Sequence, residues 1–240
     1  MGAICREKLC GLARAVEFWD RRTRPVAGES PKECANVNAY FNPPKRKPLF
    51  LRFGIWIAER RTGRPMLAAR LLAWYPKAAM GAGVMESLVA HKSGKATARL
   101  LKLVRMQVSF MASCAFCIDM NSSGYADSGI SDSEIEVLQG RRGPNEVDSL
   151  SRDEQLALRY ARALTATPVA MDSGLLGDLL VTFSEREMVV IASTIAQVNF
   201  WTRMIQGLGV PPAGFSETCS ILRLEDYATL DTAARFVVRT

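Results

Sequence analysis

Residues 102–138 have the sequence KLVRMQVSFMASCAFCIDMNSSGYADSGISDSEIEVL, which places Cys114 and Cys117 three residues apart near the middle of the chain. Apolar residues on both sides of the pair recur at helical rather than alternating spacing. Ser113 has a hydroxyl suited to an N-cap, so we expect a helix over 114–128 with Cys114 as its first residue. On such a helix both sulfur atoms lie on one face.

A Cys-x-x-Cys pair at a helix start favours thiol redox chemistry. The positive end of the helix dipole stabilises a thiolate and lowers the pKa of the thiol, so the pair can cycle between dithiol and disulfide. In the alternative interpretation the two cysteines are inert core residues, because free cysteine is among the residue types most often buried. The spacing makes a thiol oxidoreductase the leading hypothesis.

The remainder of the chain has the punctuation of helices. Three segments fit the capping box, in which a serine and a glutamate three residues later satisfy free backbone donors: Ser131 with Glu134, Ser151 with Glu154, and Ser184 with Glu187. No segment has the alternating pattern of a strand. The sequence predicts an all-α protein with helices at 6–23, 49–61, 65–74, 76–91, 95–112, 114–128, 132–139, 152–166, 173–181 and 185–207.

Residues 25–48 interrupt this pattern with five prolines and a glycine, a composition that cannot sustain a helix. We therefore divide the chain into an N-terminal helix with a Pro-rich basic arm, residues 1–48, and an all-α domain, residues 49–240.

Charge and hydropathy exclude several classes of protein. The chain of 240 residues has 31 basic and 24 acidic residues and a net charge of +7. Its basic clusters at 21–24, 45–47 and 59–64 lack the interleaved aromatics of a nucleic-acid site, so we interpret them as solvated surface and expect no nucleic-acid partner. No stretch is apolar over the length that a membrane span needs, and we interpret residues 188–202 as a buried core helix.

The start of the chain lacks the apolar core of a secretory signal, which predicts a cytoplasmic protein. His91 is the only histidine, so a zinc site of the two-Cys, two-His type cannot be built within one chain. The position of His91 is typical of a helix end. We expect neither a metal nor a cofactor.

Residues 102–138 resemble the core of the carboxymuconolactone decarboxylase and alkylhydroperoxidase D-like family. The Cys pair, Asp119 and the Gly-Ile-Ser at 129–131 all keep register with it, and residues 184–211 resemble a later helix of the family. The resemblance covers about residues 65–212. It implies an alkylhydroperoxidase D-like helical bundle, here with an extra N-terminal helical arm, that assembles as a homo-oligomer.

In the alkylhydroperoxidase D-like members, a glutamate twelve residues before the first cysteine and a histidine four residues after the second relay protons to the second thiol. This chain has Lys102 and Asn121 at those places. The resemblance implies that Cys117 attacks and Cys114 resolves, with weak turnover because the relay is missing. Helical phase predicts Asn121 beside Cys117. Lys102 could lower a thiolate pKa by Coulomb attraction, although a solvated lysine is the favoured alternative.

Two functions from different classes therefore remain open. The first is a thiol-dependent peroxidase or disulfide reductase that acts on a small hydroperoxide or disulfide and is reset by an external dithiol. The second is a non-redox family member, a helical oligomer that binds an apolar ligand, a partner or a membrane surface. The apolar segment 49–58, LFLRFGIWIA, suits the second, although a core or subunit-interface helix is the favoured interpretation of this segment.

Overall fold

The structure is a computed structural model that describes residues 39–88 and 91–216. Within these residues it contains nine α-helices, two short 3₁₀ helices and no β-strand, in agreement with the predicted all-α class. The helices are α1 (Leu49–Thr62), α2 (Leu67–Leu72), α3 (Pro76–Leu88), α4 (Ala98–Met111), α5 (Ala115–Ser122), α6 (Asp132–Leu138), α7 (Arg152–Thr165), α8 (Ser173–Thr182) and α9 (Glu185–Leu208).

Helix α4 lies at the centre of the bundle. Nine of its fourteen residues are buried, and it packs against α5, α7 and α9. Each fully buried Leu, Ile, Val or Phe stabilises the fold by roughly 1.5–3 kcal/mol. The buried face of α4 therefore contributes a large share of the apolar packing energy of the domain. Four of its buried side chains, Leu100, Leu101, Val104 and Val108, belong to a core cluster that also includes Leu156, Tyr160, Leu179, Ile191 and Ile195.

All three predicted capping boxes are confirmed at the starts of α6, α7 and α9. Two of their glutamates also bind Arg99, in the first turn of α4. Arg99 Nη2 lies 2.5 Å from Glu134 Oε1, and Arg99 Nη1 lies 2.8 Å from Glu154 Oε1. One guanidinium therefore ties the start of α4 to the starts of α6 and α7.

The third capping glutamate is joined to the same region of the chain. Glu187 Oε1 accepts a hydrogen bond of 2.6 Å from the backbone N–H of Lys95. A side chain at Gly94, which has φ +51°, would collide with this carboxylate. The starts of three helices thus converge on residues 94–99.

Glu134 is completely buried. Burial raises the pKa of its carboxyl, but the Ser131 N–H, the Ser149 hydroxyl and the Arg99 guanidinium outweigh burial and lower the pKa below its usual range. The carboxyl therefore stabilises the folded state above its unfolded pKa of about 4.3, and this stabilisation is lost as pH falls through the folded pKa.

The predicted helix over 114–128 is too long. Helix α5 ends at Ser122, because Gly124 adopts a left-handed conformation with φ +60° and the chain continues into a 3₁₀ helix at Ala126–Ser128. The helix predicted over 65–74 is shortened to α2. The predicted helix over 6–23 lies outside the described residues.

Two interpretations of single segments are supported by their contacts. Helix α9 is long and apolar enough to cross a membrane by length and composition alone, but it packs against α4, α5 and α7 as a core helix. His91 Nε2 lies 2.9 Å from the carbonyl oxygen of Ser87 in the last turn of α3, as expected of a side chain at a helix end.

We expect Arg99→Met to destabilise the fold by about 3–5 kcal/mol at pH 7, because it leaves the buried Glu134 carboxylate without its cation. The deficit should be smaller at pH 4 than at pH 7, because loss of the guanidinium removes one of the groups that lower the pKa of the Glu134 carboxyl and so makes its protonation easier in the variant. Urea unfolding at both pH values measures this. Arg142→Met is the matched control, since its pair with Glu136 is exposed and is worth at most about 1 kcal/mol. Equal effects of the two variants would contradict the assigned role of Arg99.

Candidate active site

The two cysteines lie at the junction of α4 and α5. Helix α4 ends at Met111, and Ser113 then adopts a left-handed conformation with φ 47°. Cys114, and not Ser113, is the N-cap of α5, and its Sγ accepts a 3.3 Å hydrogen bond from the backbone N–H of Cys117. The prediction that Ser113 caps the helix is therefore wrong by one residue, because the left-handed turn moves Ser113 out of the capping position.

Cys114 and Cys117 are joined by a disulfide, with their Cα atoms 5.2 Å apart. This separation lies inside the range of about 4.4–6.8 Å that a disulfide requires. The pair is shielded from solvent, since Cys114 is 1% exposed and Cys117 is 2% exposed. The predicted placement of a bridgeable pair at the N-terminal end of a helix is confirmed.

The surroundings of the pair are mainly apolar. Side chains from α2, from α5 itself, from the last turns of α9 and from the segment after α9 pack around the two cysteines: Ala68, Leu71, Phe116, Ile205, Val210, Trp201, Leu208 and Phe215. The Phe116 ring meets Phe215 edge to face, with ring centroids 6.0 Å apart. An apolar cover of this kind favours a neutral thiol, so any stabilisation of a thiolate must come from local hydrogen bonds.

Asp119 fixes the cover in place. Its carboxylate is completely buried and accepts three backbone hydrogen bonds of 2.8 Å, from the N–H groups of Ala213, Gly214 and Ser216. The helix that carries the cysteines is thereby joined to the segment that packs over them.

The Asn121 amide lies beside α4. Its Nδ2 donates a 2.8 Å hydrogen bond to Ser109 Oγ, and Ser109 Oγ donates in turn to the carbonyl oxygen of Arg105. The carbonyl oxygen of Ser109 accepts from the N–H of Cys114. Asn121 is therefore connected to the cysteine turn through Ser109, and the hydrogen bonds of the described residues include none from Asn121 to the sulfur of Cys117.

Lys102 binds at the other end of α5. Its Nζ donates a 2.5 Å hydrogen bond to the carbonyl oxygen of Ser123, six residues beyond Cys117 and about 9 Å farther along the helix axis. The pKa of Lys102 is lowered from its usual value. Burial is the main cause and Arg105 adds to it, whereas the nearby Asp127 carboxylate opposes the shift. The ammonium group is thus a partly buried cap for the last carbonyls of α5, a role that the sequence analysis does not anticipate.

A network of hydrogen-bonded side chains links α3 to the apolar cluster around the cysteines. Glu86 Oε2 accepts hydrogen bonds from Trp201 Nε1, at 3.0 Å, and from Gln197 Nε2, at 2.9 Å. Gln197 Oε1 lies 3.4 Å from Arg105 Nη2. Since Trp201 packs against the cysteine cluster, Glu86 is a carboxylate linked to the site by one side chain. Sequence analysis misses it, because 115 residues separate Glu86 from Trp201.

Of the four candidate site residues, the structure brings Cys114, Cys117 and Asn121 into one connected unit. The fourth, Lys102, belongs to α4, and its ammonium group lies at the C-terminal end of α5. Within residues 39–88 and 91–216, no group of three or more His, Cys, Asp or Glu side chains is placed to hold a metal ion. The chemistry that this arrangement supports is that of the two sulfur atoms.

Two curated bacterial proteins are similar to this chain, although no family model matches it. The uncharacterized protein YnjA of Escherichia coli strain K12 is 27% identical over 174 residues, which cover 72% of this chain and 93% of YnjA. The uncharacterized protein YdfG of Bacillus subtilis strain 168 is 30% identical over 126 residues, which cover 52% of this chain and 82% of YdfG.

Solved structures share the fold at low identity. An alkylhydroperoxidase AhpD core protein from Ralstonia eutropha JMP134, described as peroxidase-related, superposes with a TM-score of 0.62 at 14% identity and covers 78% of this chain and 96% of its own. The debrominase Bmp8, bound to 2,3,4-tribromopyrrole, superposes with a TM-score of 0.61 at 19% identity and covers 82% of this chain and 98% of its own. The alkylhydroperoxidase D-like bundle predicted from the sequence is confirmed.

We expect Asp119→Asn to destabilise the fold by about 2–4 kcal/mol, because an amide offers its NH₂ group to backbone N–H donors that have lost their acceptor. Hydrogen exchange should show faster exchange at the amides of Ala213, Gly214 and Ser216 than elsewhere in the domain. Asp178→Asn is the matched control, since its pair with Arg159 is exposed. Uniformly faster exchange over the whole domain would argue against a local anchoring role.

Proposed function

Because the chain belongs to the carboxymuconolactone decarboxylase and alkylhydroperoxidase D-like family, we propose that it is a thiol oxidoreductase of the peroxidase or disulfide reductase type. The observation that carries the proposal is the Cys114–Cys117 pair, bridged at the N-terminus of α5. In the family resemblance described above, the two thiols of the family align with these same two positions.

We infer that Cys114 is the more acidic thiol of the reduced pair. It occupies the N-cap, where the helix dipole and the N–H of Cys117 both stabilise a negative sulfur. The family resemblance implies the reverse assignment, with Cys117 attacking, and that assignment relies on a polar partner at position 121. The Asn121 amide donates to Ser109 instead, so only the family register still favours Cys117.

The proposed cycle needs two substrates. The Cys114 thiolate attacks the terminal oxygen of a small hydroperoxide, which breaks the O–O bond, releases an alkoxide that takes up a proton to become an alcohol, and leaves a sulfenic acid. The Cys117 thiol then displaces water and closes the disulfide. With a disulfide as substrate, the same two sulfurs act by thiol–disulfide exchange. An external dithiol is oxidised to restore both thiols.

We propose that the protein works in the cytoplasm. A reducing cytoplasm supplies the dithiol and keeps the pair catalytic rather than architectural. Exposed apolar side chains on α1 and α3, namely Phe50, Met80 and Val84, support assembly into a homo-oligomer that covers them.

We expect limited alkylation of the reduced protein to label Cys114 before Cys117, because alkylation requires the thiolate. Peptide mass mapping reports the label at each position. Addition of one equivalent of hydroperoxide or of a small disulfide should then convert both thiols into the Cys114–Cys117 disulfide, and neither Cys114→Ser nor Cys117→Ser should form it.

Other labelling patterns have definite meanings. Preferential labelling of Cys117 would restore the assignment implied by the family resemblance. Equally slow labelling of both cysteines, with no disulfide formed on oxidation, would identify them as structural core residues and end the oxidoreductase proposal.

We expect weak peroxidase turnover in the natural chain and a higher rate in the double variant Lys102→Glu/Asn121→His, which recreates the relay residues of the family and so gives Cys117 the proton transfer that lets it attack as well. General acid or base assistance is worth about a hundredfold to ten-thousandfold. The measurement is consumption of hydroperoxide with excess dithiol, and Lys102→Gln/Asn121→Leu is the control that removes the same side chains without adding a proton relay.

If the natural chain already consumes hydroperoxide rapidly and Asn121→His lowers the rate, another base is in use. Glu86→Gln then tests the carboxylate linked to the site through Trp201, because glutamine keeps an oxygen that can accept both hydrogen bonds while losing the charge.

A further inference from the structure

A cleft of about 730 Å³ lies between the segment before α1, helix α1 and helix α2. Its volume falls within the range of about 300–1,000 Å³ that is usual for small-molecule sites. Five basic side chains and one carboxylate, Glu59, line it, which gives a net charge of +4. The basic side chains are Lys45, Arg46, Lys47, Arg52 and Arg70.

Most of this positive charge is not neutralised by side chains of residues 39–88 and 91–216. Glu59 Oε1 binds Arg70 Nε at 2.6 Å and the N–H of Met66 at 3.0 Å. Within the described part of the chain, Lys45, Arg46 and Arg52 have no acidic partner, and Lys47 Nζ binds only the neutral carbonyl of Pro44. Several unpaired cations around one concave surface create a potential that a multivalent anion relieves.

One wall of the cleft is aromatic. Trp56 lines it and is 56% exposed. The Phe53 ring is stacked beside it, with ring centroids 5.9 Å apart and an interplanar angle of 19°. An indole with free surface next to cations suits a ligand that has both a planar ring and an anionic group.

We propose that this cleft binds a nucleotide-like small molecule, with a planar ring that stacks on Trp56 and two or more phosphate groups that contact the unpaired cations. Arginine and lysine form strong charge-assisted hydrogen bonds with phosphate oxygens. The concave lining, which sets an indole beside several cations, favours a small molecule over a flat membrane surface. The proposal is independent of the thiol chemistry.

Calorimetric titration of the full chain with ADP, inorganic pyrophosphate and adenosine tests the proposal. ADP should bind more tightly than either fragment. Lys45→Ala/Arg46→Ala should weaken ADP binding about tenfold or more, because two contacts to phosphate are lost. Trp56→Leu should weaken ADP binding by a similar factor through lost stacking and leave pyrophosphate binding unchanged.

Arg152→Ala/Arg186→Ala is the matched control, since it also removes two positive charges, but from exposed positions outside the cleft. Equal loss of ADP binding in this control would reduce the effect to net charge and overturn the site. Unchanged ADP binding in Trp56→Leu would overturn the nucleotide assignment. Binding to phosphatidylglycerol vesicles without binding to ADP up to about 1 mM would overturn it in favour of a membrane surface. Disulfide formation by Cys114 and Cys117, followed in the same variants, reports separately on the redox proposal.

Discussion

Three glutamates hold the domain together by satisfying two demands at once. Each fills the third position of its helix and binds back to the capping serine, which satisfies backbone donors that the helix itself cannot pair. Each also binds a group in the turn before α4 or in its first turn, either the Lys95 N–H or the Arg99 guanidinium. Local helix initiation and long-range assembly are therefore the same set of contacts, and α4 becomes the fixed axis of the bundle.

The cysteine site depends on that axis, because the pair begins three residues after α4 ends. Ser113 turns the chain, and the Cys114 sulfur, in place of a hydroxyl, accepts the N–H of Cys117, one of the free N–H groups in the first turn of α5. Asp119, one turn later, draws residues 213–216 over the pair. The sulfur atoms are thus held in an apolar enclosure whose polar contacts are almost all backbone groups, and the N-cap geometry decides which sulfur best carries a negative charge.

Sequence patterns predict what is local. The capping serines, the start of α9 and the place of the Cys pair at a helix start all follow from residues three or four apart. The N-cap is displaced by one residue because the left-handed turn at Ser113 comes from packing, which spacing does not encode. The partners of Arg99 and Asp119 are 35 to 97 residues away, and the contact of Glu86 with Trp201 spans 115. Such pairs, and the basic cleft, require the tertiary structure.

The shared guanidinium also constrains how the sequence can change over time. A neutral residue at position 99 removes the cation from two helix starts in a single step, so drift at Arg99 and at the acids of positions 134 and 154 is coupled. Relatives that have lost the arginine should carry compensating changes at both acids, whereas the capping serines, which bind only within their own turn, are free to exchange with threonine or aspartate one helix at a time.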